Sequence, residues 1–154
     1  KLIKEIEDSI NNVKLQISKL QNKKVLMIVS RDQTKLSAIF AAGAKTFYND
    51  IINRLGLINA LAENNIEYPM ISIESIMAIN PDIIIEIYSP DAGMTARRTI
   101  LELKNDWKNL KTVNAVKNNN IFFIIADYAV IPGPRIINLL EDFRKIFEKC
   151  NLQN

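Results

Sequence analysis

Histidine does not occur among the 154 residues, and cysteine occurs once, as Cys150. Without histidine there is no Ser-His or Cys-His triad, none of the usual zinc sites and no histidine ligand for haem iron. The commonest general base is also missing, which argues against catalysis. A lone cysteine forms no internal disulfide and leaves the redox compartment open. No apolar run approaches the roughly 20 residues that cross a bilayer, because charges or asparagines interrupt each one. The formal charge of +3 is spread along the chain. With no basic block and no aromatic-basic alternation, nucleic acid is not an expected partner. No strand candidate is followed by Gly-x-Gly-x-x-Gly or by a glycine-rich loop ending in Lys-Ser/Thr, so phosphates have no evident cradle. Internal repeats and low-complexity segments are absent too.

What is present is a globular composition, 48% hydrophobic and 24% charged, of a length that suits one domain with a real core. The chain opens on Lys1 already inside a helical pattern and offers no signal peptide to read. Ile3, Ile6, Ile10, Val13, Ile17 and Leu20 recur in steps of three and four, which predicts one long amphipathic helix over residues 1–22. Its stripe suits a helix lying along a domain and equally a short coiled-coil seam. Lys24–Val29, Ile83–Ile87 and Ile121–Ala126 are apolar runs of the kind found in strands buried on both faces. Residues 37–43 and 57–61 are further short strand candidates. Gly43 offers a place for backbone or ligand to come close.

Helices are predicted from Thr46 to Leu55, stopped by Gly56, and over 73–79, capped by Ser72 and closed by Asn80-Pro81. Two more are expected over Ala96–Lys104 and from Pro134 to about Lys149, with a partly helical stretch through Trp107, Leu110, Val113 and Val116. Alternating buried strands and helices predict an α/β fold. Its mostly parallel sheet of four to five strands would carry helices on both faces, a Rossmann-like three-layer lobe preceded by one long helix. In such sheets ligands bind outside the carboxyl ends of the strands. That singles out the loops 30–36, 88–95 and 127–134.

Four stretches then point the same way. "YPMISIESIMAINPDIII" (68–85) resembles a segment of the substrate-binding proteins of ABC importers for iron-siderophores, haem and vitamin B12, where an aromatic, Pro, Ser-x-Glu and Asn-Pro-Asp precede a strand. "AGAKTFYNDIINRLGLIN" (42–59) resembles the family's Gly-x-x-Thr-Phe, Asp-Ile-Ile and Gly-Gly-x-Asn motif, with Leu57 where a second glycine is usual. "WKNLKTVNAVKNNNIFFI" (107–124) and "IPGPRIINLLEDF" (131–143) resemble the segment around the last strand and the closing helix.

The resemblance implies two α/β lobes joined by a rigid helix, with ligand held between them. Residues 1–22 would be the joining helix and 23–154 the C-terminal lobe, the N-terminal lobe being absent. It further implies an extracytoplasmic protein, free or lipid-anchored, that performs no covalent chemistry and has no resident cofactor. Its ligand would be a ferric siderophore, haem or cobalamin, and its partners the permease's transmembrane subunits.

Glu74 stands where the family carries a surface glutamate that docks on permease arginines. The macrodipole favours a carboxylate in a helix's first turn, which is also a sufficient reason for an acid there. Exposed Glu–Arg pairs contribute about 0.2–1 kcal/mol, so such docking would set orientation and encounter more than affinity. Tyr68 stands where cobalamin-binding members carry an aromatic; its ring could stack on a corrin, porphyrin or catecholate, or could cover a Tyr-Pro turn. Asp127 and Tyr128 follow the last strand and are ligand candidates or ordinary loop residues. Arg31 and Lys35 could meet anionic ligand groups or be solvated. Tyr88 and Arg97 flank the middle loop, and Arg135 lies in the Pro-Gly-Pro-Arg stretch, where capping is as plausible as binding. Any of the four tyrosines could in principle ligate haem iron. A nucleotide-binding enzyme domain and a module dimerising through helix 1–22 are the alternatives.

Overall fold

The computed structural model describes residues 1–90, 98–131 and 133–150. Helix α1 runs from Leu2 to Gln16 and gives way at Ile17 to a 3-10 turn, Ser18–Leu20. The single helix expected over 1–22 is therefore shorter. Asn22, at φ 67°, then reverses the chain into strand β1, Lys24–Ser30. Ile10, Val13, Ile17 and Leu20 are buried in the lobe's own core, and α1 packs along the C-terminal helix α6, Ile136–Glu148. The stripe that could have served as a dimer seam is consumed within the chain.

Strand β2 is Ile39–Ala41, antiparallel to β1 with a bulge between Ile28 and Ser30. Thr46 caps helix α2, Phe47–Arg54, by accepting from the Asn49 N–H. Gly56 takes φ 82° to end that turn, and β3, Ile58–Asn59, pairs parallel to the start of β1. A short strand that the sequence did not suggest, β4 (Met70–Ile71), pairs antiparallel to β2. Ser72 caps α3, Ile73–Ile79, through the Ser75 N–H, and Asn80 at φ 53° closes it.

Strand β5, Ile83–Tyr88, is buried at every residue and lies parallel to both β1 and β6, Ile121–Ile125. Between β5 and β6 come α4, Ile100–Asn105, and the one-turn α5, Asn114–Lys117. Within the range expected to be helical from Ala96, residues 96 and 97 lie outside the described residues. Arg98 is not helical, because the capping box of Thr99 and Glu102 starts the helix at Ile100.

The sheet runs β4-β2-β1-β5-β6, with β3 beside the foot of β1. Val25, Met27, Ile83, Ile85, Ile87 and Ile124 face α1, α2 and α6. Leu26, Ile28, Ile84 and Ile121 face the opposite layer with Ile76 of α3, Trp107, Val113 and Ala115 of α5. This is the three-layer arrangement that two-sided apolar strands require. Because β1, β5 and β6 are parallel, their carboxyl ends share one end of the sheet. The antiparallel β2 and β4 extend that end sideways.

Of the two possibilities that the sequence left open at Gly43, it is backbone that comes close. Its N–H donates to the Glu67 carbonyl at 2.7 Å, and an added Cβ would lie 2.1 Å from the Ile66 carbonyl oxygen. Backbone, which yields little, occupies the space. Gly43→Ala is expected to lower stability by about 1–3 kcal/mol, as overpacking does. Urea unfolding would measure it, and a midpoint unchanged from the parent would refute this packing account.

Candidate ligand-binding site

Loop residues beyond β1 and β6 and the β2/β4 extension share the carboxyl end of the sheet. Phe40 and Met70 are register partners across β2 and β4, and both side chains are exposed, as is Tyr68. Ile39 and Ile71, their neighbours along the strands, face the core instead. Strand alternation therefore turns Phe40 and Met70 to the other face, and Tyr68 adds to that apolar surface two residues before Met70. Beside it, residues 36–39 and 70–74 line a cleft of about 410 Å³. Glu74 is on this cleft, exposed, in the first turn of α3.

The segment carrying Tyr68 is held from behind by backbone and amide groups. Besides the Gly43 contact, the Ala41 N–H donates to Pro69 at 3.1 Å and the Ala44 N–H to Asn64 at 2.9 Å. Buried Asn59 donates through Nδ2 to the Ala42 and Gly43 carbonyls and to Asn49, and accepts from the Leu61 N–H. The buried Tyr48 hydroxyl donates to the Ala129 carbonyl, tying α2 to the 3-10 turn Asp127–Ala129 that follows β6. Partial burial pushes the Tyr68 phenol up.

The sequence-level candidates divide sharply. Asp127 is exposed and pairs with exposed Arg135 at 3.2 Å. Tyr128 is half-buried, and its hydroxyl is bound to Asp142, which pushes its pKa up to about 12. Lys35 is exposed. Arg97 lies outside the described residues.

Arg31 and Tyr88 drop out of the ligand set. Arg31 is 6% exposed. Its Nε donates to Glu86 Oε1 and its Nη2 to Glu86 Oε2 and the Leu103 carbonyl. Its Nη1 reaches the Asp32 and Lys35 carbonyls and Asp106. A guanidinium has five N–H groups, and these contacts occupy them all. The Tyr88 hydroxyl is buried and donates to Glu86 Oε1 at 3.3 Å.

The centre of this network, Glu86, was missed. It interrupts the isoleucine run of β5, is fully buried, and accepts from Arg31, Tyr88 and Trp107. An acid inside an apolar strand was the available signal, since a buried charge needs a partner. Arg98 completes the cluster, donating to both Asp106 oxygens at 2.8 and 2.9 Å and to the Gln33 carbonyl.

A family model described as periplasmic binding protein matches residues 1–128. The chain belongs to the periplasmic binding protein family. Proteins of this family are extracytoplasmic binding components of ABC transport systems and are not enzymes. An ABC transporter substrate-binding lipoprotein of Bacillus subtilis, itself uncharacterised, is 27% identical over 144 residues, 92% of this chain and 41% of its own length. A vitamin B12-binding protein of Vibrio parahaemolyticus is 26% identical over 112 residues, 71% of this chain and 37% of its own. The solved structure of a possible iron-binding, periplasmic solute-binding protein from Staphylococcus epidermidis superposes at TM-score 0.74 and 28% identity, over 96% of this chain and 54% of that one. The chain thus spans about half or less of the proteins it resembles. Among its described residues no helix is long and apolar enough to cross a membrane.

In this member of the periplasmic binding protein family the buried ions fasten the loop after β1 to β5 and α4. Burial pushes the Glu86 carboxyl above its usual range against the pull of Arg31. Arginine keeps its proton, so Glu86 is the counter-ion that makes Arg31 tolerable inside. Removing one partner of such a pair costs about 3–5 kcal/mol. Arg31→Met is therefore expected to be severely destabilised in urea unfolding, and pairing it with Glu86→Leu to regain much of the loss. A double variant no better than the single one would show that the pair is not the unit.

Burial alone would raise the Asp106 carboxyl, but hydrogen bonds from Arg98 and Arg31 outweigh it and hold it below the usual range. A depressed carboxylate contributes stability above its unfolded pKa, about 3.9, and loses it as pH falls through the folded value. Thermal melting between pH 6 and 3 should drop less steeply for Asp106→Asn than for the parent. Parallel curves would contradict the assignment.

Proposed function

We propose that this chain is the C-terminal lobe and joining helix of an ABC-importer binding protein that holds a ferric siderophore, haem or cobalamin between two lobes and docks on the permease through Glu74. The observation that carries the reading is the exposed Phe40–Tyr68–Met70 surface at the carboxyl end of the parallel sheet, beside a cleft that has Glu74 on its rim. Large flat ligands suit such a surface, because aromatic and thioether side chains offer contact area with few torsions to freeze. Asp127, exposed after β6, is a polar group that could meet such a ligand from the side.

Helix α1 leads into the foot of β1, so its first turn lies toward the mouth. Leu2 and Ile3 are exposed there, in line with the buried stripe, as an apolar surface a second lobe would cover. A lobe whose loops are tied to its strands by buried hydrogen bonds suits capture with little internal movement. Exposed glutamate contacts are weak, which suits a carrier that must leave the permease after delivery.

The test uses the full-length protein titrated with haem, cobalamin and ferric siderophores. Tyr68→Ala is expected to weaken the ligand that binds by about tenfold, the loss of one stacking contact and its buried area. Glu74→Arg should leave that affinity unchanged and slow transport in cells. Unaltered transport by the Glu74 variant would remove the docking assignment, and unaltered affinity of the Tyr68 variant would remove the aromatic wall.

A further inference from the structure

Strand β6 closes one side of the sheet, and nothing in its sequence guards that edge. The Asn120 carbonyl accepts from the Ile84 N–H at 3.0 Å, and the Ala126 N–H donates to the Tyr88 carbonyl at 3.0 Å. In a parallel ladder this alternation aims the backbone groups of Ile121, Phe123 and Ile125 away from β5. Among the described residues no strand pairs with that side. Edge strands are ordinarily blunted by a lysine, a proline, a bulge or short length. The opposite edge, β4, has two residues, whereas β6 reads Ile-Phe-Phe-Ile-Ile with no charge, no proline and an unbroken register.

The edge is also flanked by a groove on each face. On the α6 side, Tyr128, Asp142, Lys145 and Ile146 join residues 123–125 around about 210 Å³. On the α4 side, Leu101, Lys104, Lys108, Val116 and Ile121 border about 390 Å³. Leu101 and Ile125 are 76% and 42% exposed on this surface. The α4-side rim is positive, with Lys104 and Lys108, while the α6-side rim sets Lys145 beside Asp142. Lys104, Lys108 and Lys145 form no ion pair among the described residues, while Asp142, the carboxylate in the grooves, receives the Tyr128 hydroxyl.

We propose that the β6 edge is a docking site for an extended, acidic segment of a partner protein, which adds to the sheet as a further strand. An added strand satisfies the outward N–H and C=O groups and sends alternate side chains into the two grooves. Lys104 and Lys108 select acids on the α4 side of that segment, and apolar residues then alternate onto the other side. A second copy of this chain is the poorer occupant, because edge-to-edge pairing would set these lysines against their own counterparts. The proposal is independent of the ligand mouth and of what the protein carries.

The test uses the full-length protein and a blocked heptapeptide of alternating valine and glutamate, with its valine–lysine counterpart as control. The glutamate peptide should bind, slow amide exchange at Phe123 and Ile125, and lose about fivefold to tenfold in affinity with Phe123→Pro, which removes one outward donor. Circular dichroism and melting would confirm that this variant folds, as an edge position allows. A second variant, Lys104→Glu with Lys108→Glu, keeps the backbone edge and should shift preference to the lysine peptide. Binding that ignores charge, protection elsewhere than β6, or no binding by the parent would overturn the proposal. So would a concentration-dependent dimer that disappears with Phe123→Pro, which would assign the edge to a second copy.

Discussion

The carboxyl end of this sheet is built around one buried ion pair. Glu86 occupies β5, flanked on both sides by the parallel strands β1 and β6, where its neighbours along the strand are isoleucines, and desolvation makes an unpaired carboxylate there untenable. Arg31 answers it from the loop immediately after β1, with Tyr88 and Trp107 completing the carboxylate's shell. The same guanidinium reaches the Asp32, Lys35 and Leu103 carbonyls and Asp106. A single requirement, neutralising Glu86, thereby fastens the loop after β1 to β5 and to the end of α4. Arg98 extends the hold by binding Asp106 and the Gln33 carbonyl.

A second, uncharged set of supports holds the β2/β4 side of this end. Asn59 spends its amide on the Ala42 and Gly43 carbonyls and on Asn49, and Gly43 lets the 64–67 backbone settle against it. Tyr48 reaches across to Ala129. These groups are consumed internally, which leaves Phe40, Tyr68, Met70 and Glu74 as exposed features of this end. The polar interior specifies where the loops stand, and the exposed surface is left free of internal contacts.

The local elements were legible because short-range rules govern them. Thr46, Ser72 and Gly56 do at helix ends what their residue types predict, since capping needs only the adjacent backbone. The apolar runs became β1, β5 and β6, with residues on two faces; β6, expected to be buried like the others, is an edge strand with Ile125 exposed, because nothing among the described residues pairs with its outer side. Tyr68 and Glu74 came from a motif resemblance, and both are exposed. Arg31 was misread because its partner is 55 residues away. Nothing in "SRDQTKL" announces a buried side chain. Tyr88 was misread for the same reason, as the last inward residue of a strand and not the first residue of a loop. Strand β4 escaped notice because two residues carry no periodicity, and only pairing with β2 makes them a strand.

By itself, then, the sequence determined the class of fold, the order of its main elements and the two-faced core, all of which follow from local conformational preference and hydrophobic period. Tertiary structure decided which polar side chains are free and which are spent. A charge near a strand end is equally compatible with solvent, ligand or interior until the facing strand is known. Burial is a property of what packs alongside, and only the folded chain brought Glu86 to Arg31.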